Sequence, residues 1–318
     1  MWLNDVFDLN YPIIQGGMAH VATPEFAAAV SQAGALGQVG TGGMPAAEVE
    51  QAIHRIRELT DRPFGINLML LNPEVEQIAE LLARERVPLI TTGAGNPGKY
   101  IPRWHEAGCK VIPVVPTLGL AQRMERVGAD AVIAEGQEAG GHIGEMSSFV
   151  LWPLLAENLK IPVIAAGGIA TGRQLAAALM LGAEGCQLGT LFLATHECPI
   201  HENYREAVLR AKDSQITVIG RKNGLPCRLL KSPLTHRYLE LEKAGADKIE
   251  LEKILLGSLR RAVKTDDSET AAYMMGQSAS LIHEALPIAE RLNCLFREAR
   301  QAAKAYCQTL PFQEVSCV

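Results

Sequence analysis

Hydrophobic and polar positions alternate along the first two thirds of the chain with two interleaved periods. Short apolar runs rich in Val and Ile end in Gly, Thr or Asn, and each gives way to a longer Ala- and Leu-rich amphipathic stretch. The runs are Pro12–Gln15, Leu36–Gly40, Phe64–Leu68, Pro88–Thr92, Val111–Val115, Ala131–Glu135, Pro162–Ala166 and Gly185–Gly189. They recur about every 25 residues, the length of one strand-plus-helix unit. Helices are predicted over Pro24–Gln32, behind Thr23 as N-cap with Pro at the first helical position, and over Ala46–Leu59, Glu74–Glu85, Leu120–Val127 and Gly172–Leu181. Four small-residue turns, at Gln32-Ala33-Gly34, Ala107-Gly108, Val127-Gly128-Ala129 and Leu181-Gly182-Ala183, put a glycine where a left-handed helix cap belongs.

Continuous apolar strands separated by helices imply a parallel sheet buried on both faces. Eight consecutive units favour closure into a (β/α)8 TIM barrel over an open doubly wound sheet. The texture changes after the eighth unit. Residues 199–267 are more polar, with Arg221-Lys222, Arg260-Arg261 and a Lys/Glu-rich stretch at 237–253, and amphipathic helix returns from 268 to about 310. The chain is thus expected to be an α/β protein, with a barrel over 1–198 and a C-terminal helical extension over 199–318 packed on it.

Composition narrows the picture. With 48% hydrophobic residues among 318, the chain is too apolar to be disordered. A net charge of −5 gives no basic stripe for nucleic acid, and no apolar run reaches the length of a membrane span. The start, Met1-Trp2-Leu3-Asn4-Asp5, lacks the basic region of a signal peptide. Seven scattered cysteines without a CxxC pair read as free thiols in a reducing, cytoplasmic setting.

In a barrel the chemistry lies on the loops after the strands. Gln15-Gly16-Gly17-Met18 follows the first; its glycines either form a tight turn or let backbone approach a flat ligand. Asn67, an amide within the third strand, either faces a ligand or satisfies neighbouring backbone. After the sixth strand comes Glu135-Gly136-Gln137-Glu138-Ala139-Gly140-Gly141-His142-Ile143-Gly144. There His142 is either a surface loop histidine or a proton carrier over a site that the flanking glycines let the chain close. Ala166-Gly167-Gly168-Ile169 and Gln187-Leu188-Gly189-Thr190 follow the seventh and eighth strands, where barrels bind phosphate; packing glycines are the other reading. No metal set is found: His196 and His201 are five apart, and His105 and Cys109 have no third partner nearby.

Together these segments resemble the superfamily of nitronate monooxygenases and FMN-dependent enoyl-acyl-carrier-protein reductases. The likeness extends to His201-Glu202-Asn203-Tyr204-Arg205-Glu206, Gly257-Ser258-Leu259-Arg260-Arg261-Ala262 and Met275-Gly276-Gln277-Ser278. It implies a TIM barrel holding FMN at its mouth. Asn67, Glu135, Gly140, Gly141 and Gln187 would then line the flavin with Gly16, Gly17 and Met18. Gly167, Gly168, Gly189 and Thr190 would cradle its phosphate, and Met275, Gly276 and Gln277 would fold back near it. His142 would be the active-site histidine. Glu135 sides with the reductases, since the monooxygenases usually carry Gln there, whereas Leu191 departs from their frequent Arg. The implied reaction is reduction of trans-2-enoyl thioesters on acyl carrier protein by NADH or NADPH, with oxidation of alkyl nitronates by O2 as the alternative. The resemblance also implies a homodimer and leaves a monovalent cation and the choice of nicotinamide open. The acidic carrier would need a basic patch, either Arg221, Lys222, Arg228 and Lys231 or Arg260, Arg261 and Lys264, which otherwise are solvated charged faces.

Overall fold

The computed structural model describes residues 1–309; Cys317 and the rest of 310–318 lie outside the described residues. Among the described residues there are eleven strands: β1 Ile13–Gln15, β2 Gly37–Gly40, β3 Phe64–Met69, β4 Leu89–Gly93, β5 Lys110–Val115, β6 Val132–Glu135, β7 Gly141–His142, β8 Val163–Ala166, β9 Cys186–Leu188, β10 Ile216–Ile219 and β11 Cys227–Leu230. Eight of them form one parallel sheet in the order β1-β9-β8-β6-β5-β4-β3-β2. A parallel bridge between Ile14 and Leu36 joins the two ends, so the sheet closes into the expected barrel.

Period-two alternation divides each strand between two cores. Ile14, Leu36, Leu89, Ile112, Ile133 and Ile164 fill the barrel interior, while Ile13, Ile66, Ile90, Val111 and Val163 pack outward beneath the helices. The interior needs a floor, and a helix over Trp2–Phe7 supplies it. Leu3 and Phe7 join the inner cluster, and Trp2 N–H donates to Glu184 at 3.0 Å.

The helices start and stop for the reasons their sequences give. Thr23 and Thr171 accept backbone N–H bonds at the starts of Pro24–Gln32 and Gly172–Met180, the second in a capping box with Gln174. Gly34, Gly108, Gly128 and Gly182 all adopt positive φ, between 85° and 96°, as the four turns predicted. The helix expected from Leu120 begins at Leu118 because Thr117 is its cap. Helices at Ile101–Glu106 and Ser148–Asn158 complete the ring; the latter is too uniformly apolar to show a stripe.

The extension is helical at Glu202–Leu209, Pro233–Ala244, Lys248–Leu255, Ser258–Lys264 and Ile288–Thr309. The last of these caps the start of the Gly172–Met180 helix, where Glu298 accepts the Gly172 N–H at 3.0 Å. It is not helical throughout. The antiparallel pair β10–β11 adds to β7, making a three-stranded sheet that takes His142 out of a free loop and into a strand opposite Cys227. Four-residue strands between strong amphipathic helices leave too short a pattern to read alone.

Candidate functional site

At the C-terminal ends of the strands the inner layer turns polar. Gln38 on β2, Asn67 on β3, Thr91 on β4 and Gln187 on β9 form one hydrogen-bonded chain. Asn67 Nδ2 donates to Thr91 Oγ1 at 2.9 Å, Thr91 Oγ1 to Gln38 Oε1 at 2.6 Å, and Gln38 Nε2 to Gln187 Oε1 at 3.0 Å. Gln38 Nε2 also reaches Gln15 O at 2.8 Å. Gln38 and Thr91 are fully buried, so their polar groups must be paired, and here they are. The chain locks the rotamers of Asn67 and Gln187 at the mouth. The Asn67 side chain thus satisfies a neighbouring side chain, Thr91, rather than the backbone. Gly17 packs directly on Asn67, where a Cβ would collide with its side chain.

Glu135 ends β6 in the same layer. Its carboxylate has no hydrogen-bond or ion-pair partner among the described residues, and burial raises its pKa to about 7. The following loop is pinned from three sides. Glu138 accepts from Ser148 N at 3.0 Å and Ser148 Oγ at 2.7 Å, and Arg228 donates to Gln137 O at 2.8 and 3.2 Å. Gln277 N–H donates to Glu138 O at 2.9 Å, and Gly276 N–H to Thr190 Oγ1 at 2.9 Å. The segment 275–277 therefore returns to the mouth and ties the loops after β6 and β9 together. Close backbone approach demands Gly140, since a Cβ there would lie 2.6 Å from Met275 C. Met275 itself is fully buried behind the loop.

Gly167 and Gly168 adopt φ of +91° and +81° at the end of β8. Among the described residues the N–H groups of Gly167, Gly168 and Gly189 donate to no backbone or side-chain acceptor. A Cβ on Gly189 would meet nothing nearer than Met18 Sδ at 3.7 Å, an ordinary contact, so a side chain has room to start here. Unpaired backbone amides after two adjacent strands suit a phosphate group. Amide-bearing walls and an unpaired carboxyl suit a flat heteroaromatic ring beside it, so the residues fit the flavin that the resemblance implies.

His142 is exposed, yet the protein massed around the ring lowers its pKa below the ordinary histidine value, favouring the neutral imidazole. Of the two basic groups, Arg228 is buried and Arg261 is engaged by Asp267, Leu256 O and Thr270 O. Arg260 and Lys264 remain exposed, and their fields reach His20 in the loop after β1. Glu50, His54 and Glu85 form a cluster with metal-ligand spacing on the outer helices, but Arg84 and Arg57 already bind its carboxylates. For Gln38, Thr91, Ser148 and Arg228 the sequence pattern gives little sign of membership in this site. A glutamine inside the apolar strand Gly37-Gln38-Val39-Gly40 was the one local signal among them.

Residues 1–85 and 75–298 match the family pattern described as nitronate monooxygenase. The solved structure of FabK from Thermotoga maritima superposes with a TM-score of 0.94 at 44% identity, covering 97% of this chain and 99% of that one. An octahydro-indene-carboxyl-CoA dehydrogenase of Rhodococcus jostii is 36% identical over 244 residues, 76% of this chain and 68% of the relative. A probable nitronate monooxygenase of Staphylococcus saprophyticus is 30% identical over 325 residues, 87% of this chain and 91% of the relative. The chain belongs to the nitronate monooxygenase family, and it is an oxidoreductase.

Proposed function

We propose that this protein reduces trans-2-enoyl thioesters on acyl carrier protein, using NADH or NADPH and bound FMN. The observation that carries the reading is the full-length similarity to FabK, at 44% identity against 30% for the staphylococcal monooxygenase. Glu135 in place of the monooxygenases' usual Gln supports it. When bound, FMN supplies the hydride chemistry between nicotinamide and the β-carbon of the enoyl chain.

The residues of this chain supply placement and polarisation. The free N–H groups of Gly167, Gly168 and Gly189 would hold the phosphate, and Asn67 and Gln187, locked by Gln38 and Thr91, would hold the ring. A neutral His142 is a poor source of a full proton, because losing one would leave an imidazolate. Its ring N–H instead donates a hydrogen bond to the thioester carbonyl oxygen and stabilises the charge that develops there. The α-carbon proton then comes from solvent or from the Glu135 carboxyl, whose pKa is about 7. Free thiols at Cys109, Cys186, Cys198 and Cys227 suit the cytoplasm where fatty acids are built.

Two assays on the purified protein separate this reading from nitronate oxidation: anaerobic flavin bleaching by NADH or NADPH followed by reoxidation with an enoyl thioester, and O2 uptake with an alkyl nitronate. We expect the first to turn over; O2 uptake with nitronate alone would reverse the assignment. His142→Ala should keep its flavin and lose about two to four powers of ten in kcat. An unchanged rate would remove His142 from the reaction.

A further inference from the structure

Arg228 is only 5% exposed, and no carboxylate among the described residues pairs with it. Its Nε and Nη2 donate to one acceptor, Gln137 O. Glu138, whose field reaches Arg228, spends its carboxylate on Ser148 N and Oγ. The Nη1 group of Arg228 has no partner among the described residues, yet it is not among the polar atoms sealed inside the protein. A guanidinium buried to this degree with a single carbonyl for company is costly unless an anion completes it. A second arginine adds to the charge. Arg221, in the 220–226 connection between β10 and β11, is exposed, and its guanidinium makes no hydrogen bond or ion pair among the described residues. Its field bears on Arg228 and opposes that of Glu138, so a second positive charge reaches the buried guanidinium. The place is specific: Arg228 stands opposite Gly141 in the small sheet, one register step from His142.

We propose that Arg221 and Arg228 form a phosphate clamp at the rim of the barrel mouth, which grips a phosphate or pyrophosphate of an incoming substrate and sets how its reactive end meets His142. The clamp differs from the glycine cradle in position and chemistry: it uses side-chain charge on the β10–β11 hairpin, where the cradle uses backbone amides after β8 and β9. It rests on the reductase reading only for the identity of the substrates. Either the pyrophosphate of the nicotinamide dinucleotide or the phosphate of a pantetheine arm has the required chemistry.

The test is calorimetric titration of the protein as purified with inorganic pyrophosphate. Arg221→Gln and Arg228→Lys should each weaken binding about tenfold, the loss expected of one charge-assisted hydrogen bond. Lys222→Gln removes the same charge one residue away, from a lysine that donates to Glu242 O, and should weaken binding less than twofold. No saturable binding to the parent protein, equal affinity in all variants, or an equal loss in Lys222→Gln overturns the clamp. Should Arg228→Lys not fold, Arg221→Gln against Lys222→Gln decides alone. Steady-state kinetics then identify the source. A KM increase for NADH or NADPH with every acceptor assigns the clamp to the dinucleotide. An increase for an enoyl-coenzyme A but not for a phosphate-free enoyl thioester assigns it to the pantetheine arm. A protein that reduces no enoyl thioester still yields the pyrophosphate result, so the two proposals fail separately.

Discussion

Glu135 shows what one side chain does when its strand carries it into a polar layer without giving it a partner. Its folded-state carboxyl keeps a proton up to about pH 7, whereas the unfolded chain releases it near 4.5. Between those values the folded state binds more protons, so this group's contribution is complete below pH 4.5 and is lost as pH rises through 7. Glu135→Gln removes the titration. Its melting temperature relative to the parent should rise between pH 5 and pH 8.5, by an amount corresponding to about 2–3 kcal/mol. A difference that stays flat with pH would mean that the carboxyl finds a charge partner in solution. Glu135, Asn67 and His142 were legible in the sequence because each is a polar residue at a strand end or among glycines. Arg228 was not. It read as a surface charge, and its burial depends on Gln137 O, 91 positions away.

At the scale of elements, the predictive value of the sequence followed the length of its repeats. Helices with period-3.6 stripes, such as Ala46–Leu59, fell within a residue or two of their predicted ends. The β7–β10–β11 sheet had no such repeat, and its strands exist because they pair with one another. The glycine loops separate into two kinds that composition cannot distinguish. Gly140 and Gly276 are required by backbone packed within 2.6 Å of where a side chain would start, but at Gly189, with φ −109°, a Cβ would make only an ordinary contact with Met18 Sδ. Gly189→Val should therefore fold with a melting temperature near that of the parent and emerge from purification colourless. A yellow Gly189→Val protein with its full flavin complement would move the phosphate elsewhere.

For the molecule as a whole, eight strand-and-helix units were enough to recover the barrel, because each strand is buried on both faces and announces itself. The floor of the barrel was not recovered. Trp2–Phe7 is six residues long and carries only two buried apolar side chains, Leu3 and Phe7, too few to define a face. Leu3 nevertheless sits at 0% exposure under the inner core, against Gly185. Leu3→Ala should cost about 2–5 kcal/mol in urea unfolding, as for other fully buried leucines. A loss below about 1 kcal/mol would mean that the floor is dispensable.

That floor also sets a timetable. Trp2 is bonded to Glu184, 182 positions later in the chain. On a ribosome adding about 5–20 residues per second, the first helix waits roughly 10–40 s for the strand that receives it. Leu3 and Phe7 spend that interval without their final neighbours, so this segment of the nascent chain is a natural place for a chaperone to hold it until the barrel can close.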